Sequence, residues 1–169
     1  LSLILALSTS SHDNARFRVE HELDDGSRLV WELLDEEPAH ALAAGEVELA
    51  GAWVARLDRV DFPPGGIAYR HVHPGPGVRY LLHGELTIDR GDGDAHTQRG
   101  GQAWFEGADD PVLATASTAE DTAFVRVLLL PAEWSGKRTI RYVNAADEDR
   151  PKLQTARVYF EHPLRVHVR

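Results

Sequence analysis

The sequence contains no cysteine. That excludes disulfides, thiolate catalysis and Cys-ligated zinc or iron–sulfur centres. It contains no methionine either, not even at position 1, so it reads as something other than a complete initial translation product. Long apolar runs are missing. The stretch Leu1–Leu7 comes nearest and is far too short to span a bilayer as a helix. Basic residues are scarce, 18 Lys and Arg against 27 Asp and Glu. The resulting net charge of −9 argues against a nucleic-acid backbone or an anionic membrane surface as partner. A Gly-x-Ser-x-Gly elbow, a phosphate loop and a dinucleotide-binding glycine pattern are also lacking. The acidic run Ala145–Lys152 lacks the glycine and terminal glutamate of a calcium loop and reads as a solvated loop.

What is present is an ordinary globular composition, 43% hydrophobic and 27% charged over 169 residues, enough for one domain with a real core. Helical periodicity is weak. Short extended runs recur between turn signals, which predicts an antiparallel sandwich or barrel. Arg16–Glu22 and Ser27–Leu34 flank Asp24-Asp25-Gly26 and read as a hairpin. Glu46–Phe62 reads as one strand with a bulge at Gly51, and Val78–Asp89 as one strand kinked at Gly84. Ile67–His73, Ala95–Arg99, Gln102–Glu106, Val112–Ser117, Thr122–Leu130, Arg138–Val143 and Thr155–Phe160 complete the set. Leu1–Leu7 followed by Ser8–Ser11 reads as a terminal strand or packed segment, or as the tail of a secretory signal. The first reading goes with a soluble cytoplasmic protein, the second with a secreted or periplasmic one.

Of nine histidines, His71 and His73 stand apart. They alternate on one strand, so both imidazoles face the same side, about 6–7 Å apart along the chain, within reach of a shared ion. His12, His21, His40, His96, His162 and His167 have no constellation around them and read as surface residues. The stretch from Gly65 through His71, His73 and Gly84 resembles the first signature motif of the cupin superfamily: glycine, five residues, His-x-His, three or four residues, Glu, six residues, glycine. Gly101 to Val112 resembles the second motif more loosely, and the intervening spacing of 16 residues is similar to that of small cupins.

The resemblance implies an all-β fold, a cupin-type double-stranded β-helix or jelly-roll barrel with extra terminal strands. The barrel core would span about residues 40–130, with extensions at 1–39 and 131–169, in a single domain. It also implies one divalent transition metal (Fe, Mn, Ni or Zn), with His71 and His73 as ligands, in an oxygenase or isomerase. Against that, the family's glutamate ligand falls at Gly77, its second-motif histidine at Val112 and its second-motif proline at Gly107, which leaves half a ligand set. Glu106, Glu46 and Glu48 are candidate third ligands. The alternatives are a non-catalytic binding or sensing cupin with a degraded metal site, and a metal-free isomerase or cyclase using His71 or His73 as a base.

If position 77 faces the interior, alternation turns Arg79, Leu81 and His83 inward too. Arg79 would then hold a ligand carboxylate or pair with an internal acid. Arg79, His83 and Trp104 are therefore the candidate substrate-binding residues, with Trp53, Tyr69 and Phe105 as further aromatic candidates and Arg126 as a polar tooth in an apolar strand. Val78, Tyr80 and Leu82 form the more apolar face of the same strand: either Arg79 and His83 are simply exposed, or a partner chain covers that apolar face and resolves the conflict on the strand. Together with strand exchange through the two extensions, this favours a homodimer that takes a small-molecule ligand.

Overall fold

The computed structural model describes residues 1–166, and His167 lies outside the described residues. The described residues are all-β apart from two short 3-10 turns at Ala132–Trp134 and Ala145–Asp149. Three antiparallel sheets carry it.

The first is built from β1 (Ser2–Ser8), β2 (Phe17–Glu22), β3 (Arg28–Leu34) and β4 (Ala43–Glu48), in the order β2-β3-β1-β4. Leu1–Leu7 is thus a central strand whose Leu3, Leu5 and Leu7 are buried. The expected hairpin is present: β2 and β3 meet around Gly26, whose φ of +81° suits glycine.

The second sheet holds β5 (Trp53–Phe62), β7 (Gly77–His83), β10 (Ala103–Glu106), β12 (Thr122–Pro131) and β14 (Thr155–Leu164), in the order β10-β7-β12-β5-β14. The third holds β6 (Ile67–Val72), β8 (Glu85–Asp89), β9 (Ala95–Arg99), β11 (Val112–Ala116) and β13 (Arg141–Tyr142), in the order β13-β6-β11-β8-β9. These two five-stranded sheets face each other and form a barrel-like sandwich consistent with a jelly roll.

Two runs that read as single strands are each two. Gly51 (φ +78°) ends the first sheet's β4 and lets β5 start in the second sheet. Gly84 (φ +83°) passes the chain from β7 in the second sheet to β8 in the third. A Cβ at Gly84 would stand 2.3 Å from Thr122 Oγ1 and 2.5 Å from the Asp121 carbonyl, so the crossing needs glycine twice over. Arg138–Val143 contributes only Arg141–Tyr142 as strand, while the last strand runs on to Leu164.

The conflict on β7 resolves within one chain. Val78, Tyr80 and Leu82 pack with Leu57, Val125, Val127 and Leu129 of the same sheet against Leu3, Leu5, Leu7, Trp31 and Leu33 of the first sheet. The chain's own N-terminal sheet, not a partner chain, covers that face. Burying each such leucine contributes about 2 kcal/mol, and Trp31 Nε1 adds a hydrogen bond to the Val78 carbonyl (3.0 Å). Both extensions that pointed to strand exchange pair inside the chain, β1 with β3 and β4, and β14 with β5 over its length. Among the described residues no helix is long and apolar enough to cross a membrane.

Glu32 on β3 is 1% exposed and pins the loop before β2. Its carboxylate accepts from the His12 backbone N–H (3.0 Å) and from Arg18 Nε (2.7 Å), and lies 2.7 Å from His12 Nδ1. His12 is therefore a structural partner, not a bystander. Burial alone would raise the Glu32 pKa, but the bonds from His12 and Arg18 outweigh it and hold it below the usual carboxylate value. A depressed folded pKa gives stability that is present above the unfolded value and lost as pH falls through the folded one. Glu32→Gln is expected to cost about 2 kcal/mol at neutral pH, read as a lower urea midpoint, and the gap to the parent should close on acidification.

Candidate functional site

Between the second and third sheets lies a cavity of about 660 Å³. Strand alternation decides who lines it. On β5 the even positions Arg56, Asp58, Val60 and Phe62 face inward while Ala55 and Leu57 face the N-terminal sheet. On β12 Phe124 and Arg126 face inward, and Val125 and Val127 outward. Arg79 on β7, Trp104 and Glu106 on β10, Leu86 and Ile88 on β8, and Val112 and Ala114 on β11 complete the walls. β6 breaks strict alternation. Its register against β11 shifts between the pairs Ala68↔Ala114 and His71↔Val112, so Ala68, His71 and His73 all line the cavity.

One row of residues runs across the second sheet: Trp104, Arg79, Arg126 and Asp58, each directly opposite the next. Two guanidinium groups are therefore neighbours inside the barrel, 2% and 7% exposed. Like charges placed so are destabilising unless each is countered. Arg126 is held by Asp58 through Nε–Oδ1 (2.7 Å) and Nη2–Oδ2 (3.1 Å). Arg79 Nη2 meets Glu106 Oε2 at 2.7 Å, and Glu106 Oε1 accepts from Trp104 Nε1 at 2.9 Å. Burial pulls the Arg79 pKa down to about 10, with Glu106 opposing that pull. Burial would raise Glu106, but Arg79 and then Trp104 hold it below its ordinary value. The pair is ionised at neutral pH.

The imidazoles of His71 and His73 stand edge to face, with centroids 5.0 Å apart. His71 Nδ1 donates to the Tyr69 carbonyl (2.7 Å), which leaves the lone pair on Nε2. His73 Nε2 accepts from Arg126 Nη1 (3.3 Å), so Nδ1 carries the proton toward Thr139 Oγ1 (3.0 Å). Burial pushes His71 down to about 4, and burial with Arg126 beside it pushes His73 well below the usual range. Both are neutral at physiological pH.

The donor set does not fit a tightly held divalent ion. Among the described residues no group of three or more His, Asp or Glu side chains is placed to hold a metal. Val112, where the cupin resemblance would put a third histidine, lies opposite His71 and offers only methyl groups. At Gly77, where the resemblance would put a glutamate, the Arg79 guanidinium fills the space: Nη1 donates to the Gly77 carbonyl (2.9 Å) and would lie 3.1 Å from any added Cβ. That Cβ would also lie 2.7 Å from the Val127 carbonyl and from Leu128 Cδ2. His73 Nε2 is already an acceptor for Arg126. Glu106 is in the cavity but committed to Arg79, while Glu46 binds Ser2 and Glu48 lies near the N-terminal amine, both in the first sheet.

Of the proposed substrate-binding residues, Arg79 and Trp104 line the cavity and His83 does not. His83 ends β7 exposed, with Nδ1 3.1 Å from the Asp121 carbonyl. Arg79 takes the internal-pair alternative. Trp53 and Phe105 pack toward the N-terminal sheet, and Tyr69 lies under Arg150, whose Cζ is 4.0 Å from the ring centroid. The sequence reading missed Asp58 and the C-terminal contribution. Thr139, Tyr142, Lys152, Gln154 and Glu161 all reach the cavity, and Glu161 binds Arg56 Nε at 2.6 Å. For Lys152 and Gln154 the signal is alternation from Lys152 to Val158, which a strand begun at Thr155 truncates.

No protein-family model matches the chain, and no curated protein matches it. A solved structure that resembles it is that of the polyketide cyclase RemF from Streptomyces resistomycificus, at 21% identity and a TM-score of 0.45. The match covers 56% of this chain and 63% of that one, less than two thirds of its length. At that similarity it says nothing about what this chain binds. The cupin resemblance rests on the sequence motifs alone.

Glu106→Gln is expected to destabilise the chain by about 3 kcal/mol, because it leaves the buried Arg79 charge without its counter-charge. Adding Arg79→Met should restore most of that loss. A double-mutant cycle in urea checks both.

Proposed function

We propose that the barrel binds a small, mainly apolar organic molecule and works without a metal at the histidine pair. The observation that carries this reading is the Arg79 guanidinium seated against Gly77 and bonded to Glu106, in the space a ligating carboxylate would need. A cavity of about 660 Å³ walled by Phe62, Leu86, Ile88, Trp104 and Phe124 supports an apolar occupant. Trp104 stands edge-on to Phe124 with centroids 5.7 Å apart, an aromatic corner suited to a planar ring. His71 Nε2 offers the cavity a lone pair with no hydrogen-bond partner among the described residues. A metal held by both histidines would require Arg126 to give up His73 Nε2, and Glu106 could join as a ligand only by leaving Arg79.

Calorimetric titration with naphthol tests this. Binding is expected in the micromolar to millimolar range, unchanged after stripping the protein with a chelator, and lost in Ala114→Phe, which fills the cavity from β11. Binding that appears only when a divalent metal is supplied would overturn the reading.

A further inference from the structure

The cavity wall is more basic than the chain that forms it. The sequence as a whole carries a net charge of −9. Yet six cationic side chains line the cavity against three carboxylates, Asp58, Glu106 and Glu161. Those carboxylates are spent on Arg126, Arg79 and Arg56 respectively. Of the other three cations, Arg138 pairs with Glu148 at 2.7 Å. Lys137 and Lys152 have no carboxylate within ion-pair distance among the described residues.

The two lysines differ in placement. Lys137 is exposed, where water and salt screen it. Lys152 is half-buried, with its ammonium 4.8 Å from the centroid of the Tyr142 ring and donating to the Glu148 carbonyl. Further N–H donors of that ammonium remain. Tyr142 lines the cavity and stands edge-on to His71, with centroids 6.5 Å apart. The exposed Arg138 lies over the same ring at 5.7 Å, which sets Lys152 where the cavity opens to solvent. Glu148 does not quench this charge. Arg138, and more weakly Lys152, hold its carboxyl below the ordinary value, but the carboxylate is bonded to Arg138 and only the backbone carbonyl meets Lys152. Further in, the polarity is reversed: His71 Nε2 presents a lone pair and the guanidinium groups are already countered. An acid group is drawn to the opening and an apolar ring to the interior.

We propose that Lys152 anchors the acid group of the cavity's occupant, an aromatic monocarboxylate whose ring lies in the barrel and whose carboxylate accepts from Lys152 Nζ at the opening. This rests on the reading that the cavity binds a small, mainly apolar organic molecule, and it names the charge that molecule carries. One placed cation beside an apolar pocket fixes which end of such a ligand enters first.

The test is calorimetry on the full chain, on Lys152→Gln and on Lys137→Gln, with two probes, 2-naphthoate and its methyl ester. The parent is expected to bind naphthoate roughly tenfold more tightly than the ester. Lys152→Gln should shrink that ratio to about twofold or less while leaving ester binding unchanged, and Lys137→Gln should keep most of it. Unchanged ester binding also shows that the Lys152→Gln barrel is folded. A preference for naphthoate that survives Lys152→Gln, one that falls as far in Lys137→Gln, or an ester that binds the parent as tightly as the acid overturns the proposal and leaves the cavity reading standing. If neither probe binds the parent, the cavity reading fails and the proposal with it.

Discussion

Two guanidinium groups side by side within a barrel set the terms for everything around them. Arg79 and Arg126 are direct neighbours on β7 and β12, both buried. Buried like charges are tolerable only if each is neutralised at hydrogen-bonding distance. Asp58 does this for Arg126 from β5, and Glu106 for Arg79 from β10. The requirement fixes the register of four strands at once, and it consumes the carboxylates that could otherwise have served chemistry. It also disposes of His73, whose Nε2 is bound by Arg126, and of the space above Gly77, which the Arg79 side chain fills. What remains for a ligand is the apolar side of the cavity together with those polar atoms the network leaves unpaired.

The second sheet can carry this row because it is covered on both faces. Its inner face holds the network, while its outer face holds Leu57, Val78, Val125, Val127 and Leu129 under the N-terminal sheet. Polar and apolar residues therefore alternate on β5, β7 and β12 with neither set facing bulk water. That accounts for strands that look apolar on the side away from the cavity, and for the burial of Leu3, Leu5 and Leu7 on the covering sheet's central strand.

The fold class was legible because turn glycines and alternating runs are local signals. That His71 and His73 share one face was legible for the same reason, whereas the inward turn of Arg79 stood as one of two alternatives on β7. Strand boundaries at Gly51 and Gly84 were not. A glycine that bends a strand and one that hands it to another sheet look alike until the partner strands are known. Cross-strand register was equally invisible: nothing local says that Arg126 lies opposite Asp58, or that Val112 lies opposite His71. His83 was placed in the cavity by carrying alternation to the end of β7, where the strand leaves the barrel wall. Lys152 and Gln154 went unnoticed because the alternation that runs on to Val158 starts before the strand that Thr155 opens.

The proposal to test is that the barrel works without a metal at the histidines, the guanidinium–carboxylate pairs occupying the positions where further ligands would sit. Crystals soaked in zinc, measured at the zinc absorption edge, test it most directly. The account predicts no anomalous peak between His71 and His73, with Arg79 still bonded to the Gly77 carbonyl and Glu106. A peak at about 2 Å from both Nε2 atoms, with Arg79 or Arg126 swung away from its carboxylate, would contradict it.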